Sequence, residues 1–209
     1  MAQAYLDAQM RSQDDREAYW LDAAQAIEWQ VPPVRAWTEG EGWFAGGLMN
    51  TCHNAVDRHV AAGRGDKLAL IYESPVTDTR LTFSFAQLQD EVARTAGMIA
   101  AQGVGKGDRV ILYMPMVPQA VIAMLACARI GAIHSVVFGG FAAPELAKRI
   151  DDATPTLLMT ASCGIEGSKV IPYKPLVDKA LQMATHRIER VILLQRPQAI
   201  GADAGGARP

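Results

Sequence analysis

Three stretches of the sequence place small residues beside groups able to meet a ligand. FGGF, residues 138–141, sets two glycines between two aromatic side chains. Such a backbone can approach a flat molecule, with Phe138 or Phe141 free to stack on it. A tight strand-to-helix turn that uses glycine for its conformation alone is the plainer reading of the same residues. CGIEGSK, residues 163–169, holds Glu166 and Lys169 among small residues. A lysine on a flexible Gly/Ser loop can meet a phosphate as a mobile point charge, and it can equally be a solvated surface lysine. MPMVP, residues 114–118, is the third stretch. GxGxxG is absent, as is a Gly-rich loop ending in Lys-Ser or Lys-Thr, which disfavours a dinucleotide dehydrogenase and a P-loop kinase.

The remaining chemistry-bearing residues are sparser. His53 and Asp57 lie four apart on a helix expected over 51–62, which is ion-pair spacing and too few ligands for a metal. His134 begins an apolar strand and is expected to hydrogen-bond within the core. Asp151 and Asp152 are adjacent at a helix end and read as a solvated terminus. Cys52, Cys127 and Cys163 lack metal spacing, and Cys127, inside AMLACARIGA, reads as a reduced, buried thiol. No Ser/His/Asp or Cys/His arrangement emerges, so no catalytic or metal-binding residue is assigned.

The elements that must position these stretches follow from periodicity. A broken apolar stripe of Tyr5, Met10, Tyr19, Trp20, Ala23 and Ile27 predicts a helix over 3–26. Residues 28–49, rich in Pro, Gly and Trp, are expected to wrap as a loop without a regular ladder, pinned by Trp29, Trp37 and Trp43. Asn50 or Thr51 is the expected cap of the next helix. LALIYES and TDTRLTF predict a hairpin, and Ser84 with Gln87 forms a capping box opening a helix that stops at Gly103. Strands RVILYM, HSVVF, TLLMT and RVILL then alternate with helices beginning near Pro118, Ala143 and Lys174. That alternation is the mark of βαβ units, so the expected fold is α/β: a helical and loop extension, then a doubly wound, mostly parallel sheet. In such a sheet ligands sit outside the carboxyl ends of the strands. All three stretches leave such ends, with residues 160–174 expected to be a loop.

Half of the 209 residues are hydrophobic, enough for a real core, and the net charge is only −2 without a basic block. Neither nucleic acid nor a membrane surface is therefore an expected partner. The polar, acidic N-terminus is unlike a secretory signal, and no apolar run approaches the roughly 18 residues of a membrane span. A cytoplasmic setting is the expectation.

Residues 113–150, YMPMVPQAVIAMLACARIGAIHSVVFGGFAAPELAKRI, strongly resemble the acetyl-CoA and propionyl-CoA synthetases of the adenylate-forming ligase superfamily. WFAGGLMNTCHNAVDRHV is similar to that family's N-terminal stretch, and CGIEGSKVIPYKPLVDKA looks more like the propionate branch than the acetate branch. The resemblance covers nearly the whole chain. It implies an acetyl-CoA-synthetase-type N-terminal extension over 1–62, the first part of an AMP-dependent ligase domain over 63–196, and a disordered tail over 197–209. It also implies two-step chemistry: acid and ATP give an acyl-adenylate and pyrophosphate, then the CoA thiol displaces AMP. The family's adenylating motifs and catalytic lysine lie downstream of the residues present, so the 209-residue chain is expected to be inactive alone. ATP, Mg2+ and the short-chain acid, acetate or propionate, are expected only in the complete enzyme.

CoA is the ligand the resemblance brings to these residues. Phe138, Gly139 and Gly140 fall where the family packs the CoA adenine. Lys169 falls on an arginine facing the CoA 3′-phosphate, with Ile171 and Pro172 on the adjoining wall. Glu166 falls where acetate enzymes have another such arginine, and a carboxylate cannot pair with a phosphate, so that contact is lost or replaced. The rival expectations are a freestanding nucleotide- or CoA-binding module and a subunit that completes a partner chain. Exposed apolar surface favouring association is expected of a half-domain whose last strand is RVILL.

Overall fold

The computed structural model describes residues 2–199, and the chain divides into two compact units, residues 1–58 and 59–209. Of the tail expected over 197–209, Pro197–Ala199 form one 3-10 turn and the rest lies outside the described residues.

In the first unit the single helix expected over 3–26 is two, α1 (Ala2–Asp14) and α2 (Arg16–Ala24). Asp15 breaks it: its carboxylate accepts a hydrogen bond from the Ala18 N–H at 3.2 Å, a cap that competes with helix continuation. The Trp-rich segment carries a small ladder where none was expected. β1 (Trp37–Thr38) pairs antiparallel with β2 (Gly42–Trp43), and Val31 bridges Leu48. Gly40 and Gly42, at φ 81° and 94°, make the reversal that permits it. The tryptophans do pin the segment. Trp43 lies edge-on to Trp20 and to Trp37, each at 5.3 Å, under the Arg16 guanidinium at 4.8 Å, and Trp29 Nε1 donates to the Ala24 carbonyl at 2.8 Å. The Asn50 side chain accepts from the His53 N–H at 3.0 Å, as expected of a cap, but His53–Asp57 wind as a π turn.

The second unit opens with another π turn, Val60–Arg64, relieved at Gly63 (φ 73°). β3 (Leu68–Ser74) and β4 (Thr79–Ser84) form the expected hairpin, with a bulge at Leu68/Leu70. Ser84 and Gln87 make both capping-box bonds, 3.2 and 2.8 Å, and start α3 (Phe85–Ala101), which Gly103 ends at φ 84°. Then follow β5 (Arg109–Met114), α4 (Pro118–Arg129), β6 (Ile133–Phe138), α5 (Ala143–Ala153), β7 (Leu157–Ala161), β8 (Cys163–Glu166), β9 (Lys169–Pro172), α6 (Tyr173–Met183) and β10 (Arg190–Leu194).

The expected parallel sheet is present, in the order β10-β7-β5-β6. β5 and β7 are buried along their length, because neighbours on both edges and helices on both faces demand continuous apolar runs. Ile111, Tyr113, Val137 and Leu158 meet Leu146 and Ile150 of α5 and Val177 of α6. Alternation turns Leu112 to the other face, beside Ala120, Val121 and Met124 of α4. β6 is an edge strand, and it leaves Ile133 and Val136 exposed.

Candidate functional site

From β5 the chain moves outward to β6, then crosses back to β7 on the other side of β5. The strand order reverses there, which is where open α/β sheets take their ligands. The FGGF turn leaves the carboxyl end of β6, and β8 and β9 follow β7.

Neither Gly139 nor Gly140 takes a positive φ, so the turn does not need glycine for conformation. It needs glycine for room. A Cβ on Gly140 would lie 2.6 Å from Phe138 Cε1, and a Cβ on Gly139 would lie 3.0 Å from Tyr173 Cζ and closer still to its hydroxyl. The turn is held from below by Tyr113, which is fully buried on β5. Its hydroxyl donates to the Phe141 carbonyl at 2.8 Å, with the Gly139 carbonyl 3.1 Å away. Burial, aided by Tyr173 at 5.0 Å between rings, pushes the Tyr113 phenol up to about 12. Phe138 stands on this support with 71 % of its surface exposed, edge-on to Phe141 at 5.7 Å. Phe141 is half-buried and carries the Arg149 guanidinium 4.5 Å above its ring. An exposed aromatic face on a fixed turn can take a flat molecule by stacking.

Residues 160–174 are not the loop that was expected. β8 and β9 form an antiparallel hairpin pairing Cys163 with Pro172, Gly164 with Ile171, Ile165 with Val170 and Glu166 with Lys169. Gly167, at φ 56°, closes its tip. Lys169 thus begins a strand, directly opposite Glu166, and both are exposed. Ile171 packs half-buried against the core that includes Tyr113 and Tyr173, while Pro172 is exposed. The hairpin root is anchored: the Tyr173 N–H donates to the Ser162 carbonyl at 2.9 Å, and the buried Arg196 guanidinium donates to the Cys163 carbonyl at 3.0 Å. Burial raises the Tyr173 phenol above its ordinary value, and the Glu166 carboxylate adds to this.

Tyr113 and Tyr173 were not singled out in the sequence. Tyr113 carried a usable sign, since a phenol following the aliphatic run Val110–Leu112 in a buried strand must find a partner for its hydroxyl. Other expectations need correction. His53 pairs with Glu28, Nε2 to carboxylate at 2.7 Å, a partner that the i, i+4 spacing does not indicate. His134 is exposed, because β6 is an edge strand and half of its side chains face outward. Asp151 is more than a solvated terminus. It accepts from the Thr185 N–H at 2.8 Å, the Thr185 hydroxyl at 2.9 Å and the His186 N–H at 2.8 Å, and these bonds hold its carboxyl below the usual range. Cys52, Cys127 and Cys163 are all buried. Among the described residues no three His, Cys, Asp or Glu side chains converge on a metal position, and no helix is long and apolar enough to cross a membrane.

On the α4 face, an apolar cleft of about 340 Å³ lies between β3, the carboxyl end of β5 and α4, with Met116 and Val136 at its rim.

A parallel α/β sheet with its candidate ligand loops at the switch point makes the second unit an open, doubly wound α/β domain. The family model described as AMP-binding enzyme matches residues 57–204, and that described as acetyl-coenzyme A synthetase N-terminus matches residues 5–55; the chain belongs to the AMP-binding enzyme family. It is 49 % identical over 187 residues to the mitochondrial acyl-CoA synthetase short-chain family member 3 of Mus musculus, covering 88 % of this chain and 27 % of that one. It is 48 % identical over 190 residues to the propionate–CoA ligase of Salmonella typhimurium, covering 89 % and 30 %. An uncharacterized protein of Pseudomonas aeruginosa is 56 % identical over 199 residues, covering 93 % and 32 %. The chain thus spans between 27 % and 32 % of the length of these relatives.

Proposed function

We propose that this chain supplies the part of a short-chain acid–CoA ligase that holds the nucleotide end of CoA. The observation that carries this reading is the exposed Phe138 ring, fixed on a turn that Tyr113 clamps at the carboxyl edge of the sheet. Phe138, with Gly139 and Gly140 beneath it, takes the adenine face. Lys169 at the hairpin tip meets the 3′-phosphate, and Ile171 and Pro172 wall the space between. Glu166, opposite Lys169, repels that phosphate and weakens the contact. Residues 1–62 serve as the N-terminal extension and 63–196 as the first part of the ligase domain.

In the complete enzyme the acid's carboxylate attacks the α-phosphate of ATP and expels pyrophosphate. The CoA thiol then attacks the acyl carbon and AMP leaves. Mg2+ accompanies ATP in that enzyme, and this chain's described residues offer it no cluster. Propionate is the proposed acid, supported by the likeness to the Salmonella typhimurium ligase, and the cytoplasm the proposed setting. The role of this chain's residues is binding and orientation. A second reading, association with a partner chain that completes the ligase, is favoured by the exposed apolar side chains Ile133 and Val136 on edge strand β6.

The test is calorimetric titration of the 209-residue chain with CoA, dephospho-CoA and AMP. The reading expects CoA to bind more tightly than dephospho-CoA, and dephospho-CoA to retain the adenine contribution. No heat with any of the three overturns it.

A further inference from the structure

We propose that Tyr173 is a wedge joining the FGGF turn to the β8–β9 hairpin, so that both segments keep one fixed spacing. This deepens the reading of the CoA site and rests on that reading for its ligand. Tyr173 opens α6 immediately after β9, and only 6 % of its surface is exposed. Its phenol enters between two glycines from different segments. A Cβ on Gly164 would lie 2.6 Å from both Cε1 and Cζ of Tyr173, and a Cβ on Gly139 would lie 3.0 Å from Cζ and 3.1 Å from Cε2. In both cases the hydroxyl would be nearer still. Neither glycine is there for a positive φ, so each is a hollow shaped to the phenol. Gly164 also pairs with Ile171 across the hairpin, so the phenol lies against the ladder itself.

The contacts continue on the other side. The Tyr113 ring stands 5.0 Å from that of Tyr173, and the Tyr113 hydroxyl holds the Gly139 and Phe141 carbonyls. The turn is therefore gripped by two tyrosines, one from the sheet and one from the root of the hairpin. On this arrangement Tyr173 touches no ligand. It is a positioning residue that sets the distance from the platform of Phe138 to the charge of Lys169, and hence from adenine to 3′-phosphate.

The geometry also separates a wedge from an ordinary core residue. At Gly139 the worst conflict is with the hydroxyl, and at Gly164 it is with the ring as well. Tyr173→Phe should therefore relieve Gly139→Ala and leave Gly164→Ala unrelieved.

The experiment compares the wild-type chain with Gly139→Ala, Gly164→Ala, Tyr173→Phe and the two double variants. Amide hydrogen exchange is followed in peptides spanning 138–142 and 163–172, alongside calorimetric titration with CoA. Each glycine substitution is expected to speed exchange about tenfold in both segments, equivalent to about 1.4 kcal/mol of local opening. Tyr173→Phe should return Gly139→Ala close to wild type in both segments and restore its CoA affinity, with no such rescue of Gly164→Ala. Faster exchange confined to the substituted segment overturns the proposal, as does equal rescue of both glycine variants. Should Gly164→Ala not fold, Gly139→Ala with and without Tyr173→Phe decides the matter on the same readouts. Coupled loosening in a chain whose wild type takes no CoA sustains the wedge and removes the CoA reading, so the two stand or fall separately.

Discussion

Replacing Tyr113 with phenylalanine removes one oxygen atom from the support of the candidate site and leaves the ring in place. The side chain is fully buried, so packing is nearly conserved, and the loss is the bond to the Phe141 carbonyl at 2.8 Å with its companion at 3.1 Å to Gly139. A net hydrogen bond contributes roughly 0.5–1.5 kcal/mol, and stranding a buried acceptor costs about 1–3 kcal/mol. Gly140 beside these carbonyls is exposed, so water reaches the turn in part and the lower half of that range applies, about 1–2 kcal/mol. For a domain of this size each kcal/mol moves the midpoint by about 2–4 °C, so Tyr113→Phe should melt about 2–8 °C lower. The pH dependence gives a second arm. The Tyr113 phenol is held at about 12 in the fold, above the ordinary 10.0 of an unfolded tyrosine. The stability linked to that shift is fully present below pH 10.0 and is lost as pH rises through about 12. The variant has no phenol to lose at this position, so the gap between the two melting curves should narrow across that window. Differential scanning calorimetry at stepped pH is the assay. An unchanged midpoint would refute the clamp, and a gap that stays constant through the window would refute the burial-raised phenol.

Lys169→Ala should weaken CoA about tenfold at low salt, the low end for an exposed charge-assisted contact, and leave dephospho-CoA nearly unchanged; equal loss for both in calorimetry would make Lys169 a support for the hairpin. Glu166→Arg should strengthen CoA selectively and more so at low salt, and a salt-independent gain would count against a phosphate contact. Asp151→Ala should destabilise at neutral pH and flatten the acid limb, because a lowered carboxyl stabilises above its ordinary range and loses that contribution as pH falls through the folded value; parallel acid-denaturation curves would contradict this. The 209-residue chain should show no propionate-dependent exchange of pyrophosphate into ATP, and exchange above a boiled control would defeat that expectation. Light scattering after size exclusion should find association, and a monomer that binds no hydrophobic dye would speak against it.

The second unit was legible because its elements announce themselves in composition. β5 and β7 are buried from all sides, so RVILYM and TLLMT could only be apolar runs, and Ser84, Gln87 and Gly103 mark the ends of α3 in residue types that caps require. Legibility failed where partners distant in sequence decide. His53 turned to Glu28, 25 residues away, and no local spacing encodes that choice. The β8–β9 hairpin was hidden because CGIE and KVIP are short and its tip, GS, is the composition of a loop. Break and ladder in the first unit escaped because single residues set them, Asp15 by its cap and Gly40 and Gly42 by their φ. At the candidate site, FGGF was visible, but the reason for its glycines was not. For Gly140 the reason is the neighbouring Phe138 ring, and for Gly139 it is Tyr173, which lies 34 residues beyond and meets it only in three dimensions.

The three cysteines bear on how this chain can be watched. Cys52, Cys127 and Cys163 are each wholly buried, and burial pushes the Cys127 thiol up to about 11. Alkylating reagents and aromatic disulfides consume thiolate, so the folded chain should present them almost nothing at neutral pH. Each sulfur reacts only when its own surroundings open, and the three sit in different settings: a helical turn after Asn50, the middle of α4, and the first residue of β8. Mass-resolved labelling therefore yields three separate opening rates from one unmodified sample. The rate at Cys163, next to Gly164, times the unlatching of the hairpin.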